Sequence, residues 1–120
     1  MDEQEYQESI NNLTREFIKS ENNEIFEKLL IGIVPMINIQ LRKNYSSIKE
    51  FWDDMRQDVF LKVWENRKNI KNSSTENPYQ YFYGRIRKFL ERSCKRIKYQ
   101  YDMFNPNIDS QGNLDNYGIK

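Results

Sequence analysis

The sequence predicts an all-α fold: a single four-helix domain followed by a flexible C-terminal tail. Three observations carry that expectation. Apolar residues recur at three- and four-residue spacing in four stretches, the signature of amphipathic helices. Strand-like alternation is weak throughout. Helix-start and helix-breaking residues (Ser47 with Glu50, Asn77 with Pro78, and Pro35) punctuate the periodic stretches. At 120 residues, one domain is the expected count. A chain of this length buries roughly two-thirds of its unfolded surface and needs no disulfide to do so.

The first predicted helix spans about residues 3–20, with Tyr6, Ile10, Leu13, Phe17 and Ile18 on one narrow apolar stripe. The second spans about 23–44 and is the most apolar. Pro35 lies inside it, so a kink or break is expected just before that residue. Ser47-Ile48-Lys49-Glu50 has capping-box spacing and should start a third helix that runs to about residue 67. Ile48, Trp52, Met55, Val59 and Val63 form its expected buried stripe. Residues 69–76 are polar and read as a loop. Asn77-Pro78 then places a capping residue before a proline at the first helical position. The fourth helix should run to about residue 101, and residues 103–120 read as a flexible tail. The expected units are an acidic N-terminal helix (1–22), a helical domain (23–102) and the tail.

Several function classes drop out on composition. The chain has no histidine and one cysteine, Cys94. That removes His-based dyads and triads, the common zinc sites and any internal disulfide. No metal, cofactor or catalytic residue is expected, and the chain is not expected to be an enzyme. No run of about 18 apolar residues is present, so no membrane partner is expected. The acidic start, Met-Asp-Glu-Gln-Glu, does not resemble a secretory signal, so a cytoplasmic location is expected.

The net charge of +1 hides a strong polarity. Residues 1–27 carry eight acids and two bases, net −6, whereas residues 85–98 carry seven bases and one acid, net +6. At 100° per residue the fourth helix sorts into two faces. Tyr79, Phe82, Tyr83, Ile86, Phe89, Leu90, Cys94, Ile97 and Tyr101 form the core side. Tyr81, Arg85, Lys88, Arg92, Lys95, Arg96 and Tyr99 form a basic stripe with an aromatic at each end. Such a row gains affinity for nucleic acid by releasing phosphate counterions, and tyrosines can stack on unpaired bases. A solvated face is the competing reading, and an acidic protein or a membrane surface is the remaining one. Charges of one sign at helical spacing repel, which favours a counter-anion. On the third helix, Asp54, Gln57, Asp58, Leu61 and Glu65 share an exposed face. Alone, that face reads slightly more readily as an isolated surface apolar among polar residues than as a docking surface.

The run Asp54-Met55-Arg56-Gln57-Asp58-Val59-Phe60-Leu61-Lys62-Val63-Trp64 resembles the Asp-Leu-Val-Gln-Glu-(Val/Thr)-Phe-Leu-x-x-Trp motif of sigma-70 family transcription initiation factors, especially the extracytoplasmic-function type. Asn77-Pro78-Tyr79-Gln80-Tyr81-Phe82-Tyr83 is similar to the family's Asn-Pro-Arg-Ala-Trp-Leu-Tyr, with either Tyr81 or Phe82 in the place of the Trp. The resemblance covers about residues 24–100, one region 2 domain. It departs from the family at Lys88-Phe89-Leu90-Glu91-Arg92, where an Asn-Leu-Ala-x-Asp run is usual.

The resemblance implies an RNA polymerase-binding face at Asp54, Gln57, Asp58 and Leu61, docking on the clamp helices of the core enzyme's largest subunit. It implies promoter DNA contacts at Tyr79, Tyr81, Arg85, Lys88, Arg92, Lys95 and Arg96, which would recognise and help melt a −10-type element. It also implies a pocket for a flipped base in the preceding loop, at Asn69, Asn72, Ser73 and Ser74. The length implies a factor without a −35-binding domain, similar in architecture to small phage late sigma factors, serving a bacterial cell or a phage-infected host. The tail is then a candidate docking peptide for a co-activator. A polymerase-binding decoy or inhibitor, and an unrelated helical DNA-binding regulator, are the alternative expectations.

Overall fold

The computed structural model describes residues 2–73 and 77–104, with side chains described for 2–70 and 77–100. Among the described residues there is no strand. Six α-helices follow one another: α1 (Glu3–Ser20), α2 (Asn23–Gly32), α3 (Val34–Asn44), α4 (Trp52–Glu65), α5 (Arg67–Ser73) and α6 (Pro78–Phe104). A 3-10 segment, Ser46–Phe51, joins α3 to α4. The fold class is all-α, as the periodicity predicts. The flexible tail predicted for 103–120 lies almost wholly outside the described residues.

Local chemistry sets most of the boundaries. Asp2 caps α1, its carboxylate accepting from the Glu5 backbone N–H at 2.8 Å. Asn22 caps α2 in the same way, accepting from Glu24 N at 2.7 Å. Between these helices Glu21 takes a left-handed conformation, φ 53°. Its N–H closes α1 on the Phe17 carbonyl at 2.7 Å. The predicted break before Pro35 falls at Ile33, and Pro35 sits in the first turn of α3, where a missing N–H costs nothing. The Tyr6 hydroxyl donates to the Gly32 carbonyl at 2.6 Å, tying α1 to this break. Gly32 allows that approach: a Cβ there would lie 3.0 Å from Ile10 Cδ1.

Two expected boundaries are corrected. No capping box starts the third predicted helix. Residues 46–51 form the 3-10 segment, broken at Ile48 (φ −126°, ψ 43°), and neither Tyr45 nor Phe51 supplies a side-chain cap. Burial of Ile48 and a bond from the Trp52 indole Nε1 to the Tyr45 carbonyl, 2.8 Å, hold this corner instead. Trp52 is therefore only partly buried, with its polar edge engaged. The second correction concerns residues 69–76: Asn69 to Ser73 lie in α5, not in a loop. Ile70, 2% exposed, anchors that short helix to the core.

One core unites all six helices. Phe26, Leu29, Ile33, Ile37, Leu41, Met55, Val59, Ile86 and Leu90 are sealed from solvent. The acidic α1 contributes Ile10, Thr14 and Phe17 to the buried interior. Asn11 of α1 accepts from the Tyr79 backbone N–H at 2.8 Å, while Asn77 accepts from Gln80 N at 3.3 Å. The start of α6 is thus capped twice, once locally and once from α1.

Asn11→Ala should therefore lower the unfolding free energy by about 1 kcal/mol in urea titrations, the usual worth of a capping side chain. Alkaline stability has a defined window as well. Burial pushes the phenols of Tyr6 and Tyr45 up to about 12 from an ordinary 10. Folded values raised above unfolded ones give stability that is intact below pH 10 and lost as pH rises toward 12. Urea midpoints should hold to about pH 10 and then fall, and Tyr45→Phe should make the fall shallower.

A candidate nucleic-acid interface and an adjoining docking face

The two candidate surfaces lie on neighbouring helices. α4 and α6 run antiparallel: Asp58 meets Ser93 and Arg96, whereas Val63 lies beside Phe82 and Phe89 nearer the other end of α6. Met55, Val59 and Val63 face inward from α4. From α6, Tyr79, Phe82, Ile86, Phe89, Leu90, Cys94 and Ile97 face inward. Tyr83 is only partly buried. The predicted core side of α6 is otherwise reproduced wherever side chains are described. Cys94 is sealed within it, and burial pushes its thiol up, away from the reactive thiolate.

The outer side of α6 carries Arg87, Lys88, Arg92, Lys95, Arg96 and Tyr99 in exposed positions. Lys88, Arg92 and Lys95 have no ion pair among the described residues. Arg85 is half-buried, its guanidinium 5.5 Å from the centre of the Tyr81 ring. Arg96 is engaged by Asp58: Nη2 lies 2.8 Å and Nε 2.9 Å from Oδ2.

The aromatic assignments change. Tyr79 is 7% exposed and packs edge-on against Tyr6 at 6.1 Å, so it is a core residue and not a DNA contact. Tyr81 is partly buried, with Phe82 at one edge and Arg85 near its ring. Tyr99, 66% exposed, is the open platform on this helix. Its place on the predicted stripe, opposite Tyr79, marks it, but spacing alone does not rank it above Tyr81.

Three of the four expected base-pocket residues, Asn69, Asn72 and Ser73, lie in a helix and not in a loop. Asn69 is helical and its Nδ2 donates to Asn66 Oδ1 at 3.2 Å. Asn72 and Ser73 are in the same helix, their side chains outside the described set, and Ser74 lies outside the described residues. A narrow cleft does exist nearby, lined by Asn66, Ile70, Tyr81 and Arg85 among others.

On α4, Asp54, Gln57 and Leu61 are exposed together, Leu61 at 54%, and Glu65 continues the face. Asp58 is not free alongside them, because it also accepts from Ser93 Oγ at 2.6 Å. The apolar character of this region extends further than the motif suggests. Trp64 is 37% exposed, stacked under Arg67 at 3.9 Å and edge-on to Phe26. Phe60, beside Leu61, joins Leu30, Ile31 and Val34 in a shallow apolar groove edged by Glu27. Ile31 there is 72% exposed. The only sequence signal for this groove is that residues 25–41 are apolar on more than one face. Among the described residues no helix is long and apolar enough to cross a membrane.

No family model, curated protein or solved structure matches this chain.

Proposed function

We propose that this chain is a sigma-like transcription initiation factor. It binds RNA polymerase core through α4 and a −10-type promoter element through α6, and does no chemistry of its own. One observation carries the reading. The motif at 54–64 turns Met55, Val59 and Val63 into the core and leaves Asp54, Gln57 and Leu61 exposed, on a helix packed directly against α6, which carries the basic stripe. Docking through α4 therefore fixes the orientation of the basic face relative to the polymerase.

The physical roles follow from the exposed groups. Lys88, Arg92 and Lys95 replace counterions along a phosphate backbone. Tyr99 offers a ring on which an unpaired base stacks, worth about 1–3 kcal/mol. Because duplex DNA does not present such a face, stacking favours the open strand over the closed one. On α4, Leu61 supplies an apolar anchor, with Asp54 and Gln57 as polar contacts at its rim.

Two measurements test this reading. The triple variant Asp54→Ala, Gln57→Ala, Leu61→Ala should lose about tenfold or more in capture by polymerase core, as expected when central interface residues are truncated. These side chains are exposed, so the urea midpoint should not move. Unchanged capture would contradict the docking role. Separately, Lys88→Gln, Arg92→Gln and Lys95→Gln together should weaken oligonucleotide binding. They should also flatten the log–log salt slope by about 2, since each lost phosphate contact removes about 0.7–0.9. An unchanged slope would remove α6 from the interface.

A further inference from the structure

The docking face and the basic stripe share one side chain. Asp58 stands on α4 in register with Asp54 and Leu61, yet its Oδ2 accepts from Ser93 Oγ (2.6 Å) and Arg96 Nε (2.9 Å), with Arg96 Nη2 at 2.8 Å. Among the described residues Asp58 Oδ1 has no partner. Arg96 Nη1 donates onward to Gln100 Oε1 at 2.8 Å. We propose that Asp58 is a positioning residue that neutralises Arg96 in the free chain, and that a cationic group of the docking partner takes over the carboxylate and releases Arg96 to a nucleic-acid phosphate. The inference rests on the reading of α4 and α6 given above and adds a regulation that links them.

The geometry separates a holding role from a structural one. Ser93 is 3% exposed, and its hydroxyl pins the carboxylate toward Arg96. The ion pair itself is open: the side chains of Arg96 and Asp58 are 41% and 30% exposed. A pair in that setting is weak and readily exchanged. Exchange for a phosphate at Arg96, or for a lysine or arginine at Asp58, therefore needs no refolding. The neighbours on the stripe, Arg92 and Lys95, have no such partner among the described residues. Arg96 is thus the member of the row whose charge depends on what α4 is doing.

The test uses the full chain and a fluorescein-labelled single-stranded oligonucleotide of mixed sequence, with anisotropy read at several KCl concentrations. Arg92→Gln should weaken binding. Arg96→Gln should weaken it clearly less than Arg92→Gln does, because Arg96 is held by Asp58 and not by phosphate; what loss remains comes from the Asp58 carboxylate left uncompensated. Asp58→Asn keeps an acceptor for Ser93 but frees Arg96. It should bind about threefold more tightly, with a salt slope steeper by about 0.7, one single-strand phosphate contact. That gain should vanish in the Asp58→Asn, Arg96→Gln double variant. Ser93→Ala, which loosens the carboxylate without changing charge, should give a smaller gain of the same sign. An equal gain from Asp58→Asn in the Arg96→Gln background would reveal a general charge effect and overturn the proposal. So would a loss from Arg96→Gln as large as that from Arg92→Gln. If Arg92→Gln itself leaves binding unchanged, the nucleic-acid reading of α6 falls and this inference falls with it.

Discussion

Burial of the inner face of α6 against α4 and the rest of the core is the constraint on which the structure depends. The helix carries seven bases and one acid between residues 85 and 98, a distribution that disfavours an isolated helix. Each like-charged pair at helical spacing costs a few tenths of a kcal/mol. Each large apolar side chain sealed inside contributes about 1.5–3 kcal/mol. Phe82, Ile86, Phe89, Leu90 and Ile97 are all sealed, so burial wins by a wide margin. The core can therefore hold a one-sign outer face that the helix would not choose by itself.

The double cap at the start of α6 belongs to the same arrangement. Asn77 satisfies one free N–H from within the local sequence, and Asn11 satisfies another from α1. The acidic N-terminal helix is consequently a working part of the core. The near-neutral net charge of +1 combines an acidic helix and a basic helix that share one hydrophobic interior, rather than two independent electrostatic modules.

What was legible in the sequence follows from which forces are local. Helix existence and facing depend on the 3.6-residue period, and the inner and outer sides of α6 emerged almost residue by residue. The break at Ile33 and the cap at Asn77 depend on proline and asparagine chemistry within a turn, and both were readable. The rest depends on tertiary contacts. Ser47 and Glu50 have the spacing of a cap, but burial of Ile48 and the Trp52–Tyr45 bond turn that segment into a 3-10 corner. Residues 69–73 look like a polar loop because one anchor, Ile70, does not make a period. For Tyr79 the helical spacing and the family resemblance disagree, and the structure sides with the spacing: Tyr6 and Asn11 claim its ring and its N–H. Asp58 shares the outer face of α4 with Asp54 and Leu61, as its spacing predicts, but points its charge at Arg96.

The most direct test of the account is multi-round transcription by polymerase core and this chain on a template pool with randomised upstream sequence, with transcript 5′ ends mapped. The account predicts transcripts that depend on the chain, start downstream of a shared −10-type element and disappear with the Lys88, Arg92, Lys95 triple variant. Binding to core with no chain-dependent transcript from any template would contradict it.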